Sequence, residues 1–161
     1  MSIATTTPDT IHPELLELGK TEPKTNKAAK TIGIATIVIG LLMSVVGVFT
    51  WHSVSTELAS QNITVSSDAQ WLAGEPVDGP LAAYSQAQII KEHSMNSTDG
   101  QTYADMDKTD PARESAMNAS FLQASLYTSV IAFGVAALVT GLGALFMLVG
   151  AGIVTLAKKR N

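Results

Sequence analysis

With 161 residues the chain has the length of a single domain, yet 46% of it is apolar, which is rich for a small soluble protein. The net charge of −4 averages a mixed N-terminal tail, an acidic middle and a basic end, leaving no basic face to meet phosphates, so nucleic acid is excluded as a partner. There is no cysteine, so a loop outside the cell has no disulfides and must be held by packing.

Residues 1–30 carry Asp9, Glu14, Glu17 and Glu22, then Lys20, Lys24, Lys27 and Lys30. This polar, Thr/Pro-rich tail reads as largely disordered. Ile11, Leu15, Leu16 and Leu18 are the group able to form a short amphipathic turn against a membrane face or a partner. An uncharged run then covers 31–52, enough for one helical crossing of a hydrocarbon core of about 30 Å. The 30 residues before it, and the lack of an A-x-A site after it, predict a signal anchor and not a cleaved signal peptide. Gly33, Gly40 and Gly47 recur every seven residues, with Thr36 and Ser44 on the same stripe. Such a repeat keeps small residues on one seam of a left-handed helix pair. Trp51 falls where an amphipathic ring meets the outer interface.

Residues 53–110 are predicted to be a stem and an acidic cap. Val54 and Leu58 continue one face of the first helix. Asn62-Ile-Thr-Val65 reads as a short extended piece, Ser67–Gly74 as a brief helical turn, and Glu75–Pro80 as turn chemistry. From Pro80 to about His93 the apolar residues Leu81, Tyr84, Ala87 and Ile90 follow a helical period. Between the two apolar runs, from Glu57 to Glu114, ten acids stand against Lys91, Lys108 and Arg113 and make the region acidic. Trp71, Tyr84, Phe121 and Leu122 are the expected packing residues of the cap.

The second uncharged run, Ser115 to Ala157, is roughly twice what one span needs. Two short spans and one long helix both fit that length. Ser120–Ile131 has neither Gly nor Pro for a turn, so the sequence predicts one helix over 111–157, membrane-embedded from about residue 129. Asp110 caps it and Pro111 suits its first position. Gly134, Ala137, Gly141 and Ala144 form its expected packing stripe, and Gly143 and Gly150 are again seven apart. Small seams let helices approach closely in lipid, where apolar burial no longer drives association. Glycines on more than one face suggest a second contact, with a copy of the chain or a larger partner. Tyr127 is the expected interface anchor on this helix. Lys158, Lys159 and Arg160 follow within 158–161, and basic residues at both outer ends place both termini in the cytoplasm and the acidic loop outside the cell membrane.

The fold class that follows is all-α and membrane-embedded: an antiparallel two-helix transmembrane hairpin with helical stem extensions and a small extracytoplasmic cap. No charge lies inside either span, which disfavours a pump or ion transporter. His12 is separated by topology from His52 and His93. Asp105, Asp107 and Asp110 are the candidate metal ligands, but they lack the glycine turn and terminal glutamate of a calcium loop. No Ser-His-Asp grouping, phosphate-binding glycine loop or cysteine nucleophile is present. The N-x-S/T sequons at Asn62, Asn96 and Asn118 matter only in a glycosylating source.

Ile63-Thr-Val-Ser66, Leu72-Ala-Gly74, Gly79-Pro-Leu81, Thr102-Tyr-Ala104, and the stretches Asp110–Arg113, Ala119–Leu122, Ala124–Leu126 and Phe133–Ala136 carry a resemblance. Over about Thr31 to Ile153 the chain resembles a group of small two-span actinobacterial membrane proteins, often labelled aromatic ring-opening dioxygenase component. Extradiol iron chemistry uses a two-His-one-carboxylate triad, and this loop offers only His52 and His93, far apart in sequence. The resemblance therefore implies a membrane architecture without an assigned activity. The expected function is structural or interactive: a non-enzymatic, cofactor-free accessory subunit or small oligomer in the lipid bilayer, meeting another membrane protein or its own copies. An extracytoplasmic sensor or cation/small-ligand module is the alternative, and a membrane enzyme the third.

Overall fold

The structure, a computed structural model, describes residues 24–159. The expectations for the tail before Lys24, His12 included, and for Arg160 lie outside that range. The described residues form three α-helices: α1 (Lys24–Ser60), α2 (Pro80–Ser97) and α3 (Arg113–Lys159). Between α1 and α2 the only ladder-like pairing among them is an isolated antiparallel bridge, Thr64–Pro76.

Local chemistry sets each boundary. Asn62, in the left-handed region at φ 53°, ends α1, a position Asn tolerates and bulkier residues resist. Gly79 precedes α2 in extended conformation and Pro80 opens it, where a missing N–H is no loss. α2 runs a turn beyond His93, because Ser97 and Thr98 hydroxyls bond back to the Ser94 carbonyl. Gly100 at φ +80° then closes it, its N–H donating to the Met95 carbonyl at 2.8 Å. Asp110 does act as a cap, its carboxylate accepting from the Ala112 N–H at 2.8 Å. Regular helix begins at Arg113, with Pro111 in the preceding turn. From there α3 is unbroken for 47 residues, about 70 Å at the usual rise.

α1 and α3 pack antiparallel along their length, and α2 lies against the N-terminal half of α3. Both long helices are long and apolar enough to cross a membrane, and only 17% of either apolar window is buried within the chain. That low burial separates them from the core helices of a soluble domain.

Two expectations for the cap change. Ser67–Gly74 is a loop, not a helical turn: the Val65 and Gly74 amides bond across it to Glu75 and Val65 carbonyls at 2.9 Å, and Leu72 and Gly74 take positive φ. The core beneath is built from Val65, Val77, Ala82, Ala83 and Ala87, joined by Leu58 and Leu126 from the long helices. Phe121, Leu122 and Trp71 do not pack the cap; they are 64%, 51% and 51% exposed. Short alanines on α2 let it sit close to α3, so the small residues, not the aromatic ones, take the interior.

Candidate functional site

The helix seam is the best-determined arrangement. A Cβ on Gly40 would lie 2.5 Å from the Gly143 carbonyl oxygen and 2.9 Å from the Met147 nitrogen; one on Gly33 would lie 2.9 Å from the Gly150 oxygen. The relation is mutual, since a Cβ on Gly150 would meet the Gly33 oxygen at 2.6 Å. Gly47 fits against Thr140 and Ala136. Only hydrogen in place of a side chain permits this backbone-to-backbone approach. Ser44 adds a long bond across the seam, its hydroxyl donating to the Thr140 carbonyl at 3.4 Å.

On α3 the sequence expectation is corrected. Gly134 and Gly141 have no atom within 4 Å of where a Cβ would stand, and Ala137 and Ala144 are exposed. The stripe that meets α1 is Phe133, Ala136, Thr140, Gly143, Gly150 and Ala157. Both stripes have the seven-residue period, and periodicity alone does not choose between two faces of one helix. Pairing by level does: Gly33, Gly40 and Gly47 need partners at 150, 143 and about 136, and only the Gly143–Gly150 stripe supplies them.

Trp51 is 40% exposed and packs edge-on to Phe133, with ring centroids 4.7 Å apart. Tyr127 is half-buried and meets Tyr84 of α2 edge-on at 6.0 Å. Burial first, and then Tyr84, push its phenol pKa up. It fastens the cap to α3 and is about 9 Å further along the helix than Phe133.

A second stripe, apolar except for Thr128, whose hydroxyl bonds back to the Ala124 carbonyl, runs along α3 on its free side: Phe121, Ala124, Thr128, Ile131, Val135, Leu138, Leu142 and Leu145 alternate spacings of three and four. All are exposed, Phe121 and Ile131 by 64% and 66%. Phe121 and Leu122 lie about 18 Å along α3 beyond the Trp51–Phe133 level, at 1.5 Å per residue.

The acidic stretch does not converge. Asp105 accepts the Thr102 hydroxyl at 2.6 Å, Asp107 accepts the Thr109 hydroxyl at 2.6 Å and amide at 2.9 Å, and Asp110 caps α3. The Thr109 hydroxyl and then its amide hold the Asp107 carboxyl below its ordinary value, with help from the charge of Arg113. Each carboxylate fixes a turn of its own loop. Among the described residues no three His, Asp or Glu side chains gather as a metal site. The loop is gathered by Arg113, which sequence reasoning left as a bare charge. Its guanidinium donates to the Tyr103 carbonyl at 3.0 Å and to that of Met106, and lies 4.1 Å from the Tyr103 ring centroid.

A cleft of about 370 Å³ opens between the 66–74 loop and α2, lined in part by Gln70, Trp71, Tyr84, Gln88, Lys91 and Glu92. Three ties hold the loop on the helix. The Ser66 amide donates to Gln86 Oε1 at 2.9 Å, the buried Ser85 hydroxyl to the Trp71 carbonyl at 2.6 Å, and His93 pairs with Asp68 at 2.7 Å. The Ser66 hydroxyl, followed by His93, holds the Asp68 carboxyl below its ordinary value. Trp71 and Tyr84 rings meet at 6.1 Å and 60°, and Gln88 donates to the Tyr84 hydroxyl at 2.8 Å. Nothing in a linear reading pairs residues 70–71 with 84–92; only the folded loop does. No family model, curated protein or solved structure matches this chain.

Proposed function

We propose that the chain is a two-span membrane protein of structural or interaction type, with both termini cytoplasmic and the acidic cap outside the cell membrane. α1 and α3 then form a transmembrane hairpin whose glycine seam makes a rigid stalk. The apolar side chains from Ile32 to Phe49 and from Val135 to Leu156 are mostly exposed within the chain, and lipid is their natural cover.

The observation that carries the interaction reading is the position of Phe121 and Leu122. Both are exposed on α3 well past the level of Trp51, where water and not lipid would surround them. Large apolar side chains there call for a protein surface. The stripe runs on without a break into the membrane segment, so its partner is itself a helix that crosses and emerges. α3 of a second copy has the required length, and a membrane-crossing helix of another protein would serve equally. Asp105, Asp107 and Asp110, the carboxylates the cation-binding alternative would use, each bond within their own turns.

Phe121→Cys, on a chain that has no other cysteine, tests this in native membranes by oxidative or short-reach cross-linking. A dimer or a single hetero-adduct is expected. A chain that stays monomeric, at Phe121→Cys and equally at Thr128→Cys, refutes the reading.

A further inference from the structure

The walls of the cleft between the 66–74 loop and α2 are joined by bonds within the chain. Its loop is tied down at Ser66, Asp68 and Trp71, which removes the ordering cost that a mobile loop would add on binding. The backbone carries strain beside it: Leu72 sits at φ 56°, a conformation that side chains other than Gly, Asn or Asp adopt at a cost. The Trp71 ring next to it in the chain is half in solvent and is not part of the neighbouring apolar core. A half-exposed indole at the mouth of a cleft with a few convergent polar groups offers a ligand both an apolar face and hydrogen-bond partners.

The polar complement narrows the ligand. Lys91 and Glu92 bring one charge of each sign, and Gln70 and Gln88 bring amides with both donors and acceptors. Gln88 spends one donor on the Tyr84 hydroxyl, leaving its carbonyl oxygen and the Tyr84 O–H directed to other partners. A phosphate would meet Glu92, and a quaternary ammonium would meet Lys91. A ring with one C–H face and a rim of hydroxyls matches an indole plane bordered by amides and opposite charges. We propose that the Trp71–Tyr84 cleft binds a neutral sugar ring, presented on a short oligosaccharide or on the end of a longer glycan. This site stands on the cap alone and is independent of how the helices assemble.

The two tryptophans make the test direct. Trp51→Phe keeps an aromatic ring against Phe133 and leaves Trp71 as the sole indole. The full chain is placed in nanodiscs free of maltoside detergent, and Trp71 emission is followed during titration with maltotriose, cellotriose and chitotriose, with tetramethylammonium as a cation control. The expected result is a saturable shift with at least one trisaccharide below about 10 mM, weakened roughly fivefold or more by Gln88→Ala and by Glu92→Ala. Both side chains are exposed, so neither change threatens the fold, and circular dichroism checks that. Absence of saturation with all three sugars overturns the proposal. So does a response indifferent to both substitutions, or saturation by tetramethylammonium in place of sugar.

Discussion

Gly40→Ala is the sharpest test of the packing. Its added Cβ would stand 2.5 Å from the Gly143 carbonyl oxygen, where ordinary contact begins at 3.4 Å. The obstacle is backbone, as is the Met147 nitrogen at 2.9 Å, so no rotamer change relieves it. The helices must part by nearly 1 Å at this level, and a gap of about 0.5–1 Å forfeits a quarter to a half of each dispersion contact nearby. Overpacking of this kind costs about 1–3 kcal/mol. Alanine also favours helix over glycine by up to ~1 kcal/mol, which would blur a single measurement. Gly141→Ala carries the same propensity gain with no atom within 4 Å of its Cβ. The difference between the two variants therefore isolates the seam. Unfolding both in mixed micelles by SDS titration, followed by helical circular dichroism, should place Gly40→Ala about 1–3 kcal/mol below Gly141→Ala. Equal midpoints would refute a seam at Gly40, and a larger loss for Gly141→Ala would move the contact to the other face.

Arg113→Ala should free the 101–110 loop, at a cost of about 1.5–3 kcal/mol for charge-assisted bonds, read as faster amide exchange at Met106 and Asp107. Arg113→Lys should rescue little, because one ammonium cannot span two carbonyls and a ring as a planar fork does; full rescue would contradict that geometry. Asp107 has a lowered pKa in the folded chain, so its contribution is complete above the ordinary Asp value of about 3.9 and is lost as pH falls through the lower folded value. The Thr109 amide resonance should follow that titration and cease to do so in Asp107→Asn. Leu72→Asn should leave stability unchanged or raise it by about 1 kcal/mol, since Asn accepts positive φ; a clear loss by thermal melting would show that Leu72 is packed and not strained.

The two long helices were open to sequence reading because charge is absent over runs longer than any turn requires, and the heptad glycines of α1 faced α3 as their spacing implied. Which face of α3 answered them was hidden. Gly134–Gly141 and Gly143–Gly150 share one period, and the choice depends on the level at which each residue passes its partner. Ser67–Gly74 misled because its Ser-Asp start and Gly end imitate a helix, while its backbone bonds go instead to Val65 and Glu75. Phe121, Leu122 and Trp71 misled for another reason. Large apolar residues are expected inside, but here the interior is taken by small residues such as Ala82, Ala83 and Ala87, and the three large ones stay half or more exposed. The cleft joins residues 70 and 92 through a folded loop, a proximity no local pattern encodes.

The seam also limits how the chain can change over generations. A residue inserted into α1 turns everything beyond it by about 100° and carries Gly40 or Gly47 off the facing helix. Insertions survive only in whole sevens, matched on both helices at once. Drift in length therefore belongs to the 61–79 and 98–112 connections, while the paired segments are a fixed ruler whose length both helices set together.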